Sequence, residues 1–140
     1  MSSVHFFAEK VKFQLSSSRK TSNWIKKVIS KEGGELKSLN VIFCSDRYLG
    51  EMNEHFLKHK TLTDIITFDY SEVTGQIEGD IFISIPRVRE NAKKFKEYFD
   101  SELHRVIIHG VLHLLGYTDK TASQKSKMRE KEDAYLSLRS

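Results

Sequence analysis

The sequence predicts an α+β fold, a small four-stranded mixed sheet backed by about five helices, and three observations lead to it. Short β-branched and aromatic runs alternate with helical stretches up to Ile85. From Pro86 onward the apolar spacing is helical only. One helix within that second half is apolar almost all round, which places it inside the molecule rather than on its surface.

Taken in order, Val4 to Ala8 reads as a first strand. Thr21-Ser22-Asn23 offers N-cap side chains to a helix whose apolar face carries Trp24, Ile25, Val28 and Ile29. Gly33-Gly34 ends it by supplying the positive φ that helix ends commonly require. Leu39 to Cys44 is a second strand, and Ser45-Asp46 then caps a helix through Tyr48, Leu49, Met52 and Phe56. Ile65 to Phe68 and Ile81 to Ile85 are two more strands, joined through Gly75 and Gly79 with hairpin character. Gly79-Asp80 reads as a turn into the last of them. Pro86 suits a first helical turn, and Val88, Ala92, Phe95 and Phe99 follow at helical intervals. A helix from about Ser101 to Leu115 ends at Gly116. The last helix opens on Thr121-Ala122-Ser123-Gln124, a capping-box pattern, and carries Met128, Tyr135 and Leu138 on one stripe. Glu132 falls on that same stripe and points inward, where a carboxylate needs a partner. A salt bridge or loop cap is the leading reading for it, a catalytic carboxylate the alternative.

Composition narrows the class. A chain of 140 residues, 39% hydrophobic and 30% charged, is sized for a single domain over residues 1–140. No run of eighteen apolar residues occurs and the mean hydropathy is −0.46, which excludes a helical membrane span. Charges at Glu9 and Lys10 interrupt any signal-peptide core, and a single cysteine, Cys44, fits a reducing compartment, so a cytoplasmic protein is expected. The excess of 23 Lys and Arg over 19 Asp and Glu is mild. It permits a polyanionic partner such as RNA without requiring one. Arg87, Arg89, Lys93, Lys94 and Lys96 are diluted by Glu90 and Glu97, as expected of a solvated helix face; with Lys125, Lys127, Arg129 and Lys131 they would serve for sequence-independent phosphate contacts.

The chemistry concentrates between Glu102 and Asp119. His109 and His113 lie about 40° apart around a helix and about 6 Å apart along it, so two imidazoles on adjacent turns can reach one metal ion. His104 is turned away from both. Gly116 ends the helix and lets the chain fold back, so Asp119 can return as a third ligand. Two imidazoles, one carboxylate and an open position for water form the catalytic rather than the structural zinc pattern. Zinc proteases of the two-histidine type place a glutamate directly after the first histidine as base; Gly110 stands there instead. No protein base is assigned.

The stretch His109-Gly-Val-Leu-His113-Leu-Leu-Gly116-Tyr117, with Met52-Asn53, Thr63-Asp64 before Ile65, Gly79-Asp80-Ile81 and the closing Met128 and Glu132, resembles the YbeY family over roughly residues 40–138. The resemblance implies an α+β fold, one zinc ion per chain, and a single-strand-specific, metal-dependent endoribonuclease of the cytoplasm. It further implies work on the 3′ end of 16S rRNA and in ribosome quality control, with RNA, the ribosome and ribosomal proteins as partners and neither DNA nor membrane. Two positions depart from the family pattern. Asp119 stands where the family usually has a third histidine, and a carboxylate is an acceptable zinc ligand there. Leu57 stands where the family commonly has an arginine associated with activity; Lys58, His59 and Lys60 are the nearest positive groups. Thr63-Asp64 reads as a turn or strand start, with orientation of a ligand as the second possibility. Alternative functions are a non-catalytic ribosome-assembly factor with a structural metal, and a metal-dependent hydrolase of another substrate.

Overall fold

The computed structural model describes residues 3–57 and 63–139. Expectations placed on Lys58, His59, Lys60 and the Leu57 side chain lie outside what it describes. The elements run β1 (Ser3–Glu9), α1 (Ser18–Lys31), β2 (Glu35–Cys44), α2 (Asp46–Met52) with a π-helical turn at Asn53–Leu57, β3 (Ile65–Asp69), β4 (Gln76–Ser84), α3 (Ile85–Lys94), α4 (Phe99–Leu114) and α5 (Ala122–Arg139).

The four strands form one mixed sheet in the order β1-β2-β4-β3. β1 and β4 flank β2 in parallel, and β3 closes the far edge antiparallel to β4. Alternate residues Leu39, Val41 and Phe43 of β2 and Ile77, Ile81 and Ile83 of β4 are buried and share one core with α1 and α4. A smaller cluster of Cys44, Leu49 and Ile66 holds α2 to the rest. α4 carries the largest set of buried residues, from Leu103 to Leu114, as its apolar composition requires.

Three helix ends share one device. α1, α3 and α4 each finish with paired backbone bonds around a residue of positive φ: Gly33, Lys96 and Gly116. These are Schellman closures, which turn the chain sharply away from the helix axis. At α4 the Gly116 N–H donates to the His113 carbonyl and the Tyr117 N–H to the Leu112 carbonyl, each at 3.0 Å.

Several boundaries differ from the sequence reading. α1 starts one turn early, at Ser18, so Thr21-Ser22-Asn23 lies inside the helix. Thr21 is buried there and its hydroxyl bonds the Ser17 carbonyl, which leaves it no N-cap role. Gly79-Asp80 is not a turn but the middle of β4, and the β3–β4 connection turns at Gly75. Ile85 belongs to α3, because Ser84 caps it through the Arg87 N–H at 3.1 Å. The left-handed Lys96 stops α3, so Phe95 is 57% exposed and Phe99 opens the next helix. The Thr121–Gln124 capping box forms as expected: Gln124 N–H donates to Thr121 Oγ1 and Thr121 N–H to Gln124 Oε1.

Candidate metal centre

α4 lies close enough to the sheet that a Cβ on Gly110 would meet Ile65 Cδ1 at 2.8 Å and Ile81 Cδ1 at 3.0 Å. This settles why no glutamate follows His109: position 110 faces the sheet, not the site. His109 and His113 instead present on the flank of α4, half-buried, with their Nε2 atoms 3.1 Å apart. The Gly116 closure swings the following loop back, and Asp119 brings Oδ2 to 3.4 Å from His109 Nε2 and Oδ1 to 3.6 Å from His113 Nε2. All three potential ligand atoms fall within 4.8 Å of one another.

These spacings fit one ion. Ligands at about 2.0–2.1 Å from a tetrahedral zinc stand roughly 3.3 Å apart; the two imidazole nitrogens are 3.1 Å apart, and the carboxylate brings a different oxygen to each of them, at 3.4 and 3.6 Å. Two basic nitrogens and a carboxylate converge there, which is the donor set a borderline-soft divalent metal takes.

Behind the histidines sits a carboxylate from α5. Glu132 is buried, and its Oε2 is 2.6 Å from His109 Nδ1 while its Oε1 accepts from Arg105 at 2.9 Å. Arg105 bridges on to Asp133 at 2.7 Å. A proton on His109 Nδ1, donated to Glu132, leaves Nε2 free to face the ligand point. Burial lowers the His109 pKa, but the hydrogen bond and charge of Glu132, with Asp119 and Asp64, outweigh it and leave it above the usual value. His113 goes the other way: burial and then neighbouring His109 hold it below the usual value. Thus the inward expectation for Glu132 is met, with a second duty on His109 that sequence spacing did not suggest.

A second tether fixes the loop. Glu32, at the end of α1, accepts hydrogen bonds from Tyr117 at 2.5 Å, from Lys131 at 3.1 Å and from Tyr135. Tyr117 lies between Gly116 and Asp119, so this cluster holds the segment that returns the carboxylate. Burial raises the Glu32 pKa, yet the bonds from Tyr117, Tyr135 and Lys131 bring it below the ordinary carboxylate range.

A cavity of about 360 Å³ opens beside His109, lined in part by Asp64, Glu102, Arg105 and Arg129. Thr63 does serve the strand start, its hydroxyl bonding the Ile65 carbonyl at 3.1 Å. Asp64 nevertheless reaches this cavity and accepts from Asn91 at 3.4 Å. His104 packs against Trp24, away from the site, and burial holds its pKa down to about 4. Arg87, assigned to the solvated face, pairs with Asp46 at 2.9 Å.

The family model described as Endoribonuclease YbeY matches residues 5–139. The chain belongs to the YbeY endoribonuclease family. The YbeY endoribonuclease of Cytophaga hutchinsonii is 53% identical over 136 residues, covering 97% of this chain and 95% of the relative. That of Amoebophilus asiaticus is 47% identical over 133 residues, covering 95% and 90%. Among solved structures, the solution structure of TM1509 from Thermotoga maritima superposes with a TM-score of 0.69 at 28% identity, covering 98% of this chain and 89% of that one. The YbeY assignment makes RNA the expected substrate class, and the converging His109, His113 and Asp119 could hold a metal ion. No described helix is long and apolar enough to cross a membrane.

The sequence reading missed Arg105, Glu102 and Glu32. Arg105 had a usable signal, a lone cation on a buried helix four residues before His109. Glu32 had none, because its partners are 85 and more residues away.

Proposed function

We propose that this YbeY-family chain is a zinc-dependent, single-strand-specific endoribonuclease acting as one domain over residues 1–140 in the cytoplasm. Its task on this reading is 16S rRNA 3′-end maturation and ribosome quality control, with the ribosome and its proteins as partners. One ion per chain is held by His109, His113 and Asp119. The observation that carries the proposal is the convergence of these three side chains at spacings suited to a single tetrahedral ion.

Bound there, zinc would supply Lewis acidity toward a phosphoryl oxygen. The chain's own residues do the rest. Glu132 fixes the orientation and proton of His109, Arg105 balances the charge of Glu132, and Glu32 holds Tyr117 so that Asp119 stays in reach. Lys125 and Arg129, exposed at the cavity edge, are placed to meet phosphates of a single strand.

The test is cleavage of a single-stranded RNA by nuclease-free, zinc-loaded protein. Cutting that disappears in His113→Ala, with the fold retained by circular dichroism, supports the proposal; RNA left intact with every divalent metal tried refutes it. Leu57, in place of the family's usual arginine, favours one second reading, a ribosome-assembly factor whose metal is structural. That reading expects zinc binding without cleavage.

A further inference from the structure

Among the described residues, Glu102 is the buried polar side chain of the cavity that the metal centre does not use. It is only 7% exposed, yet no described side chain or backbone N–H bonds its carboxylate and no described cation pairs with it within 4.0 Å. Buried carboxylates are ordinarily hydrogen-bonded, and an exception calls for a reason. Burial and the Asp64 charge raise its pKa, and its place in the first turn of α4 with the nearby charges of Arg105 and Arg129 offsets them only in part. None of these explains why its oxygens lack N–H donors. Those oxygens are not sealed in the core; they open to the same cavity as His109.

The cavity is graded by exposure: Glu102 is buried and Asp64 half-buried, the half-buried Arg105 is already paired with Glu132 and Asp133, and the cations Lys125 and Arg129 are exposed. A nucleotide has the matching polarity, with an anionic phosphate at one end and base N–H groups at the other. About 360 Å³ is at the small end of ligand-sized cavities. Single-stranded RNA can present the Watson–Crick edge of an unpaired base to such a pocket. Guanine fits a carboxylate best, because its N1–H and N2–H are adjacent donors that two carboxylate oxygens can accept together. Uracil offers one N–H flanked by two carbonyl oxygens, which a carboxylate repels.

We infer that the cavity beside His109 is a nucleobase subsite in which Glu102 selects guanine. The inference rests on the ribonuclease reading for its biological sense, but its test does not. GMP, IMP and UMP share the phosphate and differ in base donors, so titrating each against zinc-loaded protein isolates the base. GMP should bind at least tenfold more tightly than UMP, with IMP, which lacks the N2 amine, between them. Amide shifts should map to Glu102 and Val106. Glu102→Gln, which turns one acceptor into a donor, should bring GMP to within about threefold of UMP while zinc content is unchanged. Arg129→Ala should weaken all three nucleotides alike. Equal binding of GMP and UMP by the wild-type protein overturns the inference without need of any variant. So does a preference that persists in Glu102→Gln, or one that is lost in Arg129→Ala instead. Failure of the ribonuclease reading looks different: GMP preferred, yet RNA uncut.

Discussion

Glu132 Oε2 lies 2.6 Å from His109 Nδ1, and the other oxygen of the same carboxylate takes a hydrogen bond from Arg105. One buried side chain of α5 therefore sets the ring orientation and the proton position of a histidine on α4. Partners of this kind raise ligand basicity and hold the ring against rotation.

Glu132→Gln should therefore lower zinc affinity by about 10–100-fold. Competition with a fluorescent chelator measures this. The amide can still accept one hydrogen bond but brings no charge, and Arg105 keeps Asp133, so the helical circular dichroism should hold. Unaltered affinity would mean that Glu132 only anchors α5.

Asp119→Ala should weaken zinc more than Glu132→Gln does, because it removes a ligand rather than its support. Asp119→His should restore binding, as an imidazole at the same loop position can reach the same point. Elemental analysis after dialysis against a weak chelator would separate the three proteins. If Asp119→Ala keeps its zinc, the third ligand lies elsewhere.

Much of this centre was legible because it is local. The spacing of His109 and His113, the stop at Gly116 and the return of Asp119 are all written within eleven residues, where helix geometry alone decides which side chains meet. The inward direction of Glu132 was legible too, from the stripe with Met128 and Tyr135. Its partner was not, since periodicity reports which face is buried and not what lies across from it. The same limit hid Glu32, and it misplaced Gly79. A glycine flanked by Glu78 and Asp80 has the composition of a turn, but the parallel pairing with Leu39 and the antiparallel partner Asp69 hold it within the sheet.

Gly79→Ala tests that placement. A Cβ at Gly79 would collide with the backbone carbonyl of Phe68 and press on Leu114 at 3.3 Å. A backbone carbonyl cannot swing aside as a side-chain tip can, so β3 must shift. The substitution should cost about 1–3 kcal/mol in a urea titration. A turn glycine exposed to solvent would instead tolerate alanine with little change. Because β3 begins just after Asp64, the shift should also perturb the cavity beside His109.

The Glu32 cluster makes stability depend on pH at both extremes. Hydrogen bonds from Tyr117, Tyr135 and Lys131 overcome burial and hold the Glu32 pKa below its ordinary 4.5, so the unfolded chain takes up the proton first on acidification. The stabilisation is then complete above about pH 4.5 and is lost as pH falls through the lowered value. At the alkaline end, burial and the Glu32 charge push the Tyr135 hydroxyl from 10.0 up to about 12. The unfolded chain loses that proton first, so stability declines as pH rises from 10 toward 12. Urea midpoints across pH 3–6 and 9–12 should show both slopes in the wild-type protein, and Glu32→Gln should flatten both. Since Tyr117 holds the loop between Gly116 and Asp119, Glu32→Gln should also reduce zinc affinity at neutral pH, where neither slope operates. Flattened slopes with zinc affinity intact would confine Glu32 to stability; unchanged slopes would remove it from the pH dependence, and unchanged zinc affinity from the positioning of the loop.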